Sequence, residues 1–232
     1  FYDRLKRSYD KQFFEQEVLG EYLNSNSGLV YHAFNRREHV VDTETNREAP
    51  LLWALDFNVD PMCSVVAQIQ GGMVRVLDEI VISRATTEDA CREFCNRFRK
   101  HAGGVVVYGD ASGNRMQTTG DSDFNIIRRY LKENYPSVFS CRVSPANPAV
   151  RERVGLMNAK LRTADGEIQM AVNPRCTELI KDFEQVTYKP GSIAIDKEKD
   201  PRRTHLSDAL GYLVWQECRL RAPIGERGRR LI

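Results

Sequence analysis

The spacing of hydrophobic and polar residues divides the chain into strands and helices, beginning with three strands in succession. Residues 51–57 form an apolar run that turn-forming residues cut short, which predicts a buried strand. Two further runs, 63–70 and 74–82, are rich in β-branched residues and are joined by Gly71-Gly72, a pair typical of a hairpin turn. We therefore predict an antiparallel meander of three strands.

After the meander, helices and strands alternate. Strands are predicted over residues 105–110, 138–143 and 168–172, and a hairpin over 186–195. Helices are predicted over residues 86–101, 122–134, 149–163, 175–186 and 204–220. A strand reached through a helix usually runs parallel to the strand before it. The sequence therefore predicts a mixed α/β sheet with an antiparallel half and a parallel half.

The first 49 residues have too few apolar positions for a core of their own. Residues 1–23 have the spacing of an amphipathic helix, residues 29–31 are compatible with a short strand, and the remainder is polar. We expect this arm to pack on the main domain or on a part of the protein outside this sequence. Because the chain begins at Phe1 without a methionine, we expect it to be a piece of a longer protein.

Composition is that of an ordinary globular protein. The chain has 232 residues, of which 41% are hydrophobic and 28% charged, enough for one large domain or two small ones. The net charge is only +2, so a surface for nucleic acid must come from local clusters of basic residues. No apolar run is long enough to span a membrane and no signal peptide is visible, so we expect no membrane partner.

The six cysteines are scattered and include no CxxC pair. Cys91 and Cys95 lie four residues apart on a predicted helix, but a zinc site there lacks two further well-placed ligands. We therefore expect free thiols, as in a reducing compartment.

Three acids occupy comparable positions at the ends of predicted elements. Asp56 ends the first strand, Asp110 follows the strand at 105–110, and Asp208 lies in the first turn of the last helix, which Thr204 is predicted to cap. If the two strands are parallel neighbours, Asp56 and Asp110 lie at the same carboxyl edge, where open α/β sheets bind ligands. A structural role is possible for each acid alone, as part of an Asx-turn, a loop cap or a favourable charge at a helix N-terminus. Together they favour a metal site.

Carboxylates are the ligands that Mg²⁺ and Mn²⁺ prefer. Two such ions, about 3.5–4 Å apart, can activate water and stabilise the leaving oxygen of a phosphodiester. We predict this chemistry, with Asp56 as the bridging ligand. Asp60 is a candidate outer ligand, although an acid before Pro61 also suits a turn. His205 shares a helical face with Asp208 and could contact a phosphate, or could belong only to the helix start.

Basic residues near these acids are candidates for binding DNA. Contacts of this type go to phosphates and give little sequence preference. Most runs of charged residues only face solvent. The basic residues at 197–203 are the strongest candidates, because this segment leads directly into the helix that carries Asp208. The candidates are Arg115, Lys160, Lys189, Lys197, Arg202 and Arg203.

The segments around the acids resemble a known set of motifs. LDF at 55–57, YGDASG at 108–113 and THLSDALGY at 204–212 are similar to the three acidic motifs of the nuclease domain of viral (bacteriophage) large terminase subunits. The resemblance covers about residues 50–218, and EQEVLGE at 15–21 resembles the segment that links the ATPase of that family to its nuclease.

The resemblance implies a ribonuclease H-like fold and a nuclease that cuts concatemeric DNA during packaging. It implies that Asp56, Asp110 and Asp208 are the catalytic metal ligands, with double-stranded DNA, the portal and the small terminase subunit as partners. The implied location is the host cytoplasm, transiently at the procapsid. Residues 1–49 would link to an ATPase domain, 50–222 form the nuclease domain, and 223–232 form a loose basic tail. The chain has no G-x-x-x-x-G-K-[ST] motif, so no ATPase activity is expected of it.

Three other hypotheses use the same elements. An actin-like ATPase also carries aspartates at strand ends, but residues 56–60 lack the glycine that close approach of the backbone to a phosphate needs. A non-catalytic module that docks to the portal or to DNA would be expected to have lost one of the acids, and all three are present. A junction resolvase or a transposase would use similar acids, and the motif at 204–212 and the arm before residue 50 favour the terminase.

Overall fold

The computed structural model of the chain describes residues 6–11, 28–58, 60–116 and 120–219. The helix predicted over 1–23 lies outside these ranges except for residues 6–11, of which 6–8 and 11 are helical. The tail predicted over 223–232 also lies outside them. Within the described ranges, no helix is long and apolar enough to cross a membrane.

Six strands form one mixed sheet. They are β1 (Leu51–Asp56), β2 (Met62–Gln70), β3 (Met73–Ile82), β4 (Val105–Gly109), β5 (Phe139–Cys141) and β6 (Met170–Val172). Their order across the sheet is β5-β4-β1-β2-β3-β6. The first three strands pair antiparallel, whereas β4 runs parallel to β1, β5 to β4 and β6 to β3. The predicted mixed sheet, with a meander and a parallel half, is confirmed.

The five helices predicted after the meander begin and end within a few residues of their predicted bounds, and a short helix, Arg36–His39, was not predicted. The helices are α1 (Arg36–His39), α2 (Thr87–Phe98), α3 (Asp123–Asn134), α4 (Val150–Leu161), α5 (Thr177–Gln185) and α6 (His205–Cys218). A short 3-10 turn, Ala111–Asn114, lies in the loop after β4. Helix α2 begins with a reciprocal capping box between Thr86 and Asp89, which satisfies two backbone N–H groups at its N-terminus.

Helices cover both faces of the sheet, and the alternation of β1 decides which residues face which layer. Leu52 and Ala54 are buried in the core formed with α4, α5 and α6. Trp53 and Leu55 point the other way, into the core formed with α2 and α3. Since successive side chains of a strand alternate, Asp56 continues the first set and faces the α6 layer.

The arm before β1 differs from its prediction in secondary structure. The strand expected over residues 29–31 is wrong, because only a single bridge joins Leu29 to Thr187 and the chain then turns. Val30 and Tyr31 are nevertheless buried in the α6-side core, and the backbone N–H of Val30 donates to the carbonyl of Val186. Residues 28–49 pack on the sheet largely through side chains, and their backbone joins it at a single bridge between Val40 and Val172 of β6.

Two smaller predictions have mixed outcomes. The hairpin predicted over 186–195 is reduced to a single bridge between Tyr188 and Ile195. All six cysteines are free thiols, as predicted, and four of them are buried.

Candidate active site

Asp56 lies at the carboxyl end of β1 and is 7% exposed. Its Oδ2 accepts a hydrogen bond from the Asn58 amide and lies 3.0 Å from Nδ1 of His205. Burial raises the pKa of Asp56, the His205 hydrogen bond opposes this, and the charges of Asp208 and Asp110 raise the pKa further. The three predicted acids therefore lie within electrostatic reach of one another at the edge where β1 and β4 end.

Asp110 follows β4 and begins the 3-10 turn. Its Oδ1 accepts from the backbone N–H groups of Ser112, at 2.8 Å, and Gly113, at 3.2 Å. The loop-capping role considered for this acid is thus present. This role leaves the second carboxylate oxygen available, since no hydrogen bond within the described residues uses Oδ2. Gly113 is required because a Cβ there would collide with the ring of Phe57, which packs this loop against the end of β1.

Asp208 lies in the first turn of α6, and both of its carboxylate oxygens meet basic groups. Oδ1 accepts from Nη2 of Arg153 at 2.7 Å, and Oδ2 accepts from Nζ of Lys197 at 2.9 Å. The Arg153 side chain is 6% exposed. Its guanidinium lies 4.5 Å from the ring centroid of Tyr212, and a Cβ on Gly211 would lie 2.8 Å from its side chain. Gly211 and Tyr212 therefore shape the space that holds this arginine.

The start of α6 corrects one sequence prediction. Thr204 was expected to cap the helix, but its backbone is left-handed, with φ of +82°, and its hydroxyl makes no cap hydrogen bond. A usual N-cap residue is extended. The cap comes instead from Asp182 of α5, whose Oδ2 accepts from the N–H of Ser207 at 3.1 Å. Burial raises the pKa of Asp182 to about 7, against the hydrogen bonds and the nearby charge of Arg203.

Helix α5 is itself capped by another element. Its N-cap residue, Cys176, makes no side-chain cap hydrogen bond. The carboxylate of Glu79, on β3, accepts from the N–H groups of Glu178 and Leu179, each at 2.9 Å. Two successive helices on the face of the sheet that carries the acids are thus capped by acids from elsewhere in the chain.

Arg203 does not have the surface position expected of a DNA-binding residue. Its side chain is 10% exposed and lies 3.4 Å from Asp182, and it also pairs with Glu178. A buried guanidinium held by two acids is not available to a phosphate. We correct the prediction accordingly, since Arg203 is part of the support of α6.

The other basic candidates lie in different surroundings. Lys197 reaches the acids themselves, through Asp208. Arg115 is exposed in the loop that follows Asp110. Two others form ion pairs with residues of the 196–203 loop, Lys189 with Glu198 and Arg202 with Asp200.

Two candidates are not brought to the acids by any contact of the described residues. Lys160 donates to Gln169 at 2.7 Å and lines a cavity of about 530 Å³ beside Trp215. Asp60 is exposed and accepts from the backbone N–H of Arg84 at 3.2 Å, in agreement with the turn role considered for it.

Arg153 and Asp182 were not found from the sequence. Arg153 occupies a position of α4 in register with Met157 and Leu161, which are buried. A charged residue in an apolar register of a helix requires a buried partner of opposite charge, and this was the available signal. Asp182 gave no comparable signal, because its partners, the Arg203 side chain and the backbone N–H of Ser207, lie more than 20 residues away.

The side-chain types at this site suit a hard divalent cation, but the described side chains do not form a complete set of ligands. Among the described residues, no three His, Cys, Asp or Glu side chains form a ready-made metal cluster. Carboxylate oxygens are nevertheless the donors that Mg²⁺ and Mn²⁺ prefer. Within the described residues, Oδ1 of Asp56 and Oδ2 of Asp110 accept no hydrogen bond, and Oδ2 of Asp208 is held only by Lys197.

The chain matches a known protein family. A family model described as Terminase RNaseH-like domain matches residues 53–217. The comparison with curated proteins found no match.

Solved structures of similar fold include the large terminase of a thermophilic bacteriophage in complex with ADP, with 17% identity and a TM-score of 0.67 over 93% of this chain and 51% of that one. This chain thus spans about half the length of that terminase. The P22 large terminase nuclease domain has 14% identity and a TM-score of 0.59, over 80% of this chain and 90% of that one. The nuclease of the thermophilic phage G20c with bound magnesium has 13% identity and a TM-score of 0.52, over 81% and 97%. Identities this low show the fold alone.

Proposed function

Because the chain belongs to the terminase RNaseH-like domain family, we propose that it is a metal-dependent endonuclease that cuts concatemeric viral DNA during genome packaging. The observation that carries the proposal is that Asp56, Asp110 and Asp208 lie at one edge of the sheet, where the charges of Asp208 and Asp110 both raise the pKa of Asp56. A site of three acids at strand and helix ends suits phosphodiester hydrolysis better than it suits docking alone.

Asp56, Asp110 and Asp208 would hold the cations in this proposal, which Mg²⁺ or Mn²⁺ fit by charge and donor type. The magnesium in the G20c nuclease structure, which has a similar fold, supports that choice. When bound, the cations polarise the phosphate and the attacking water. The protein's own contribution is to fix the three carboxylates in a partly buried place, where their repulsion favours a cation.

Neighbouring residues prepare these carboxylates. Arg153 fixes one oxygen of Asp208, and Asp182 fixes the helix turn that carries it. His205 lies with Nδ1 3.0 Å from Asp56 and Nε2 2.9 Å from the carbonyl of Pro201. A protonated imidazole donates to both, and the hydrogen bond to Asp56 raises the pKa of His205. His205 and Asn58 thereby hold one oxygen of the Asp56 carboxylate in place.

We propose that Arg115, Lys189, Lys197 and Arg202 bind DNA phosphates, since they are at least partly exposed and three of them lie in the segment that leads to α6. In the complete packaging assembly, the partners would be double-stranded DNA, the portal and the small terminase subunit. The chain would act in the host cytoplasm and transiently at the procapsid. The family match favours this assignment over a junction resolvase or a transposase.

Plasmid cleavage tests the proposed function. The 232-residue chain is incubated with supercoiled DNA and Mg²⁺ or Mn²⁺, with and without EDTA. We expect metal-dependent cutting that Asp56→Asn, Asp110→Asn and Asp208→Asn each abolish. Glu88→Gln is the matched control, because Glu88 is an exposed acid on α2, on the other face of the sheet. Cutting that persists in all three variants, or no cutting by the folded unchanged chain with either metal, contradicts the proposal.

A further inference from the structure

We infer that Lys197 and a divalent cation compete for the same oxygen of Asp208, so that Lys197 must leave this carboxylate when a cation binds. The inference rests on the proposed function, because it concerns the same carboxylates. It assigns to Lys197 a role that a phosphate-binding surface lysine does not have.

The two basic groups on Asp208 differ in how firmly they are held. Arg153 is buried, packs on Tyr212, and also donates from Nη1 to the backbone carbonyl of Asp208 at 3.3 Å. Lys197 lies on the loop before α6, and its side chain is 59% exposed. An arginine fixed at several points is part of the framework, whereas an exposed lysine loses little by moving into solvent. Oδ2 of Asp208 is therefore the exchangeable oxygen.

The position of Lys197 places its charge inside the site rather than beside it. Its Nζ is 2.9 Å from Asp208. His205, the first residue of α6, lies 3.0 Å from Asp56. Lys197 and Asp56 therefore both adjoin the first turn of α6. A cation held by Oδ2 of Asp208 would have to take the place of this ammonium, because two positive charges so close together repel each other.

The exchange couples metal binding to DNA binding. Once Lys197 leaves Asp208, its ammonium is available to a DNA phosphate, which it can bind as a point charge. A phosphate that attracts Lys197 also removes it from Asp208 and so favours the cation. By thermodynamic linkage, DNA must then tighten metal binding and the metal must tighten DNA binding by the same factor.

Titration calorimetry with Mn²⁺ tests the competition directly, without DNA and without cutting. The proteins are the unchanged chain, Lys197→Gln and Lys197→Arg. The matched control is Lys199→Gln, because Lys199 is an exposed lysine two residues away on the same loop. We expect Lys197→Gln to bind Mn²⁺ about fivefold more tightly, the effect of losing one partly exposed ion pair. Lys199→Gln and Lys197→Arg should bind like the unchanged chain.

A second series repeats the titration with a short phosphorothioate DNA duplex present, chosen to slow cutting. The duplex should tighten Mn²⁺ binding by the unchanged chain and should do so less for Lys197→Gln. Equal or weaker Mn²⁺ binding by Lys197→Gln, or an equal gain in Lys199→Gln, overturns the inference while leaving the proposed nuclease intact. Absence of Mn²⁺ binding in both the unchanged chain and Lys197→Gln overturns the inference and the proposed function together.

Discussion

Arg153 and Asp208 form a buried ion pair that joins α4 to α6, with Nη2 2.7 Å from Oδ1 and both side chains no more than 6% exposed. Removing one partner of such a pair leaves the other charge buried without compensation. The pair therefore connects the stability of the domain to the geometry of its site.

Arg153→Ala should lower the free energy of unfolding by about 3–5 kcal/mol, because the Asp208 carboxylate loses its buried partner. Urea denaturation at pH 7 measures the change. Arg84→Ala is the control, since that side chain is 90% exposed, and it should change stability by less than about 0.5 kcal/mol. The double variant with Asp208→Asn should lose less than the sum of the two single losses. Additive losses would show that the two groups do not interact.

Asp182→Ala should destabilise the chain by about 1–2 kcal/mol, through loss of the cap on α6. It should also weaken Mn²⁺ binding, because the turn that carries Asp208 is no longer fixed. Asp182→Asn keeps an acceptor oxygen and should retain most of the metal affinity. Calorimetry on both variants, with Glu184→Gln on the exposed side of the same helix as control, measures these effects. Equal metal affinity in Asp182→Ala and the unchanged chain would contradict the positioning role.

Stability should depend on pH through Asp182. Burial raises its pKa from 3.8 to about 7, so the folded state keeps a proton that the unfolded state has released in this interval. The unfolded state then binds fewer protons, and the contribution of Asp182 to stability falls as pH rises from about 4 to about 7. Melting temperatures should be measured at several pH values. The melting temperature of Asp182→Asn should rise relative to that of the unchanged chain as the pH rises from about 4 to about 7. A difference that is constant with pH would exclude the shifted pKa.

Gly211→Ala should destabilise the chain by about 1–3 kcal/mol, since the added Cβ would lie 2.8 Å from the Arg153 side chain, which cannot move freely. The better helix propensity of alanine, worth about 1 kcal/mol, opposes this loss. In an Arg153→Ala background the conflict disappears, and the same substitution should be neutral or stabilising. Thermal unfolding of the four proteins tests this reversal of sign.

Arg115→Ala should weaken DNA binding more than Lys160→Ala does. Arg115 is exposed in the loop after Asp110, whereas Lys160 is held by Gln169 next to a separate cavity. Loss of one phosphate contact should reduce the salt dependence of binding by about one unit of slope. DNA binding by the two variants should be measured in EDTA over a series of salt concentrations. An equal salt dependence of binding in both variants would contradict a phosphate contact at Arg115.

The sequence was sufficient for the parts of the fold that follow from periodicity. The helical crossover before β4 indicated that β4 runs parallel to β1, and Asp56 and Asp110 were therefore expected at the same carboxyl edge of the sheet. The helix layer that Asp56 faces is known only from the structure. Thr204 was misjudged because the preference of threonine for helix N-caps is a local property, whereas the cap here comes from Asp182, which is distant in sequence, and the backbone of Thr204 is left-handed. The strand predicted over residues 29–31 was wrong because Val30 and Tyr31 are apolar for burial in the core, which does not require a strand.

Helices α5 and α6 are each capped by an acid from another element, so the position of Asp208 depends on a series of contacts. Glu79 anchors α5 to the sheet, Asp182 anchors α6 to α5, and α6 carries Asp208. Helix α6 is also held by the Arg153–Asp208 pair, so its position depends on contacts with both α4 and α5. Local opening of α5 would remove the cap from the first turn of α6, which carries Asp208, while the contact with Arg153 remains.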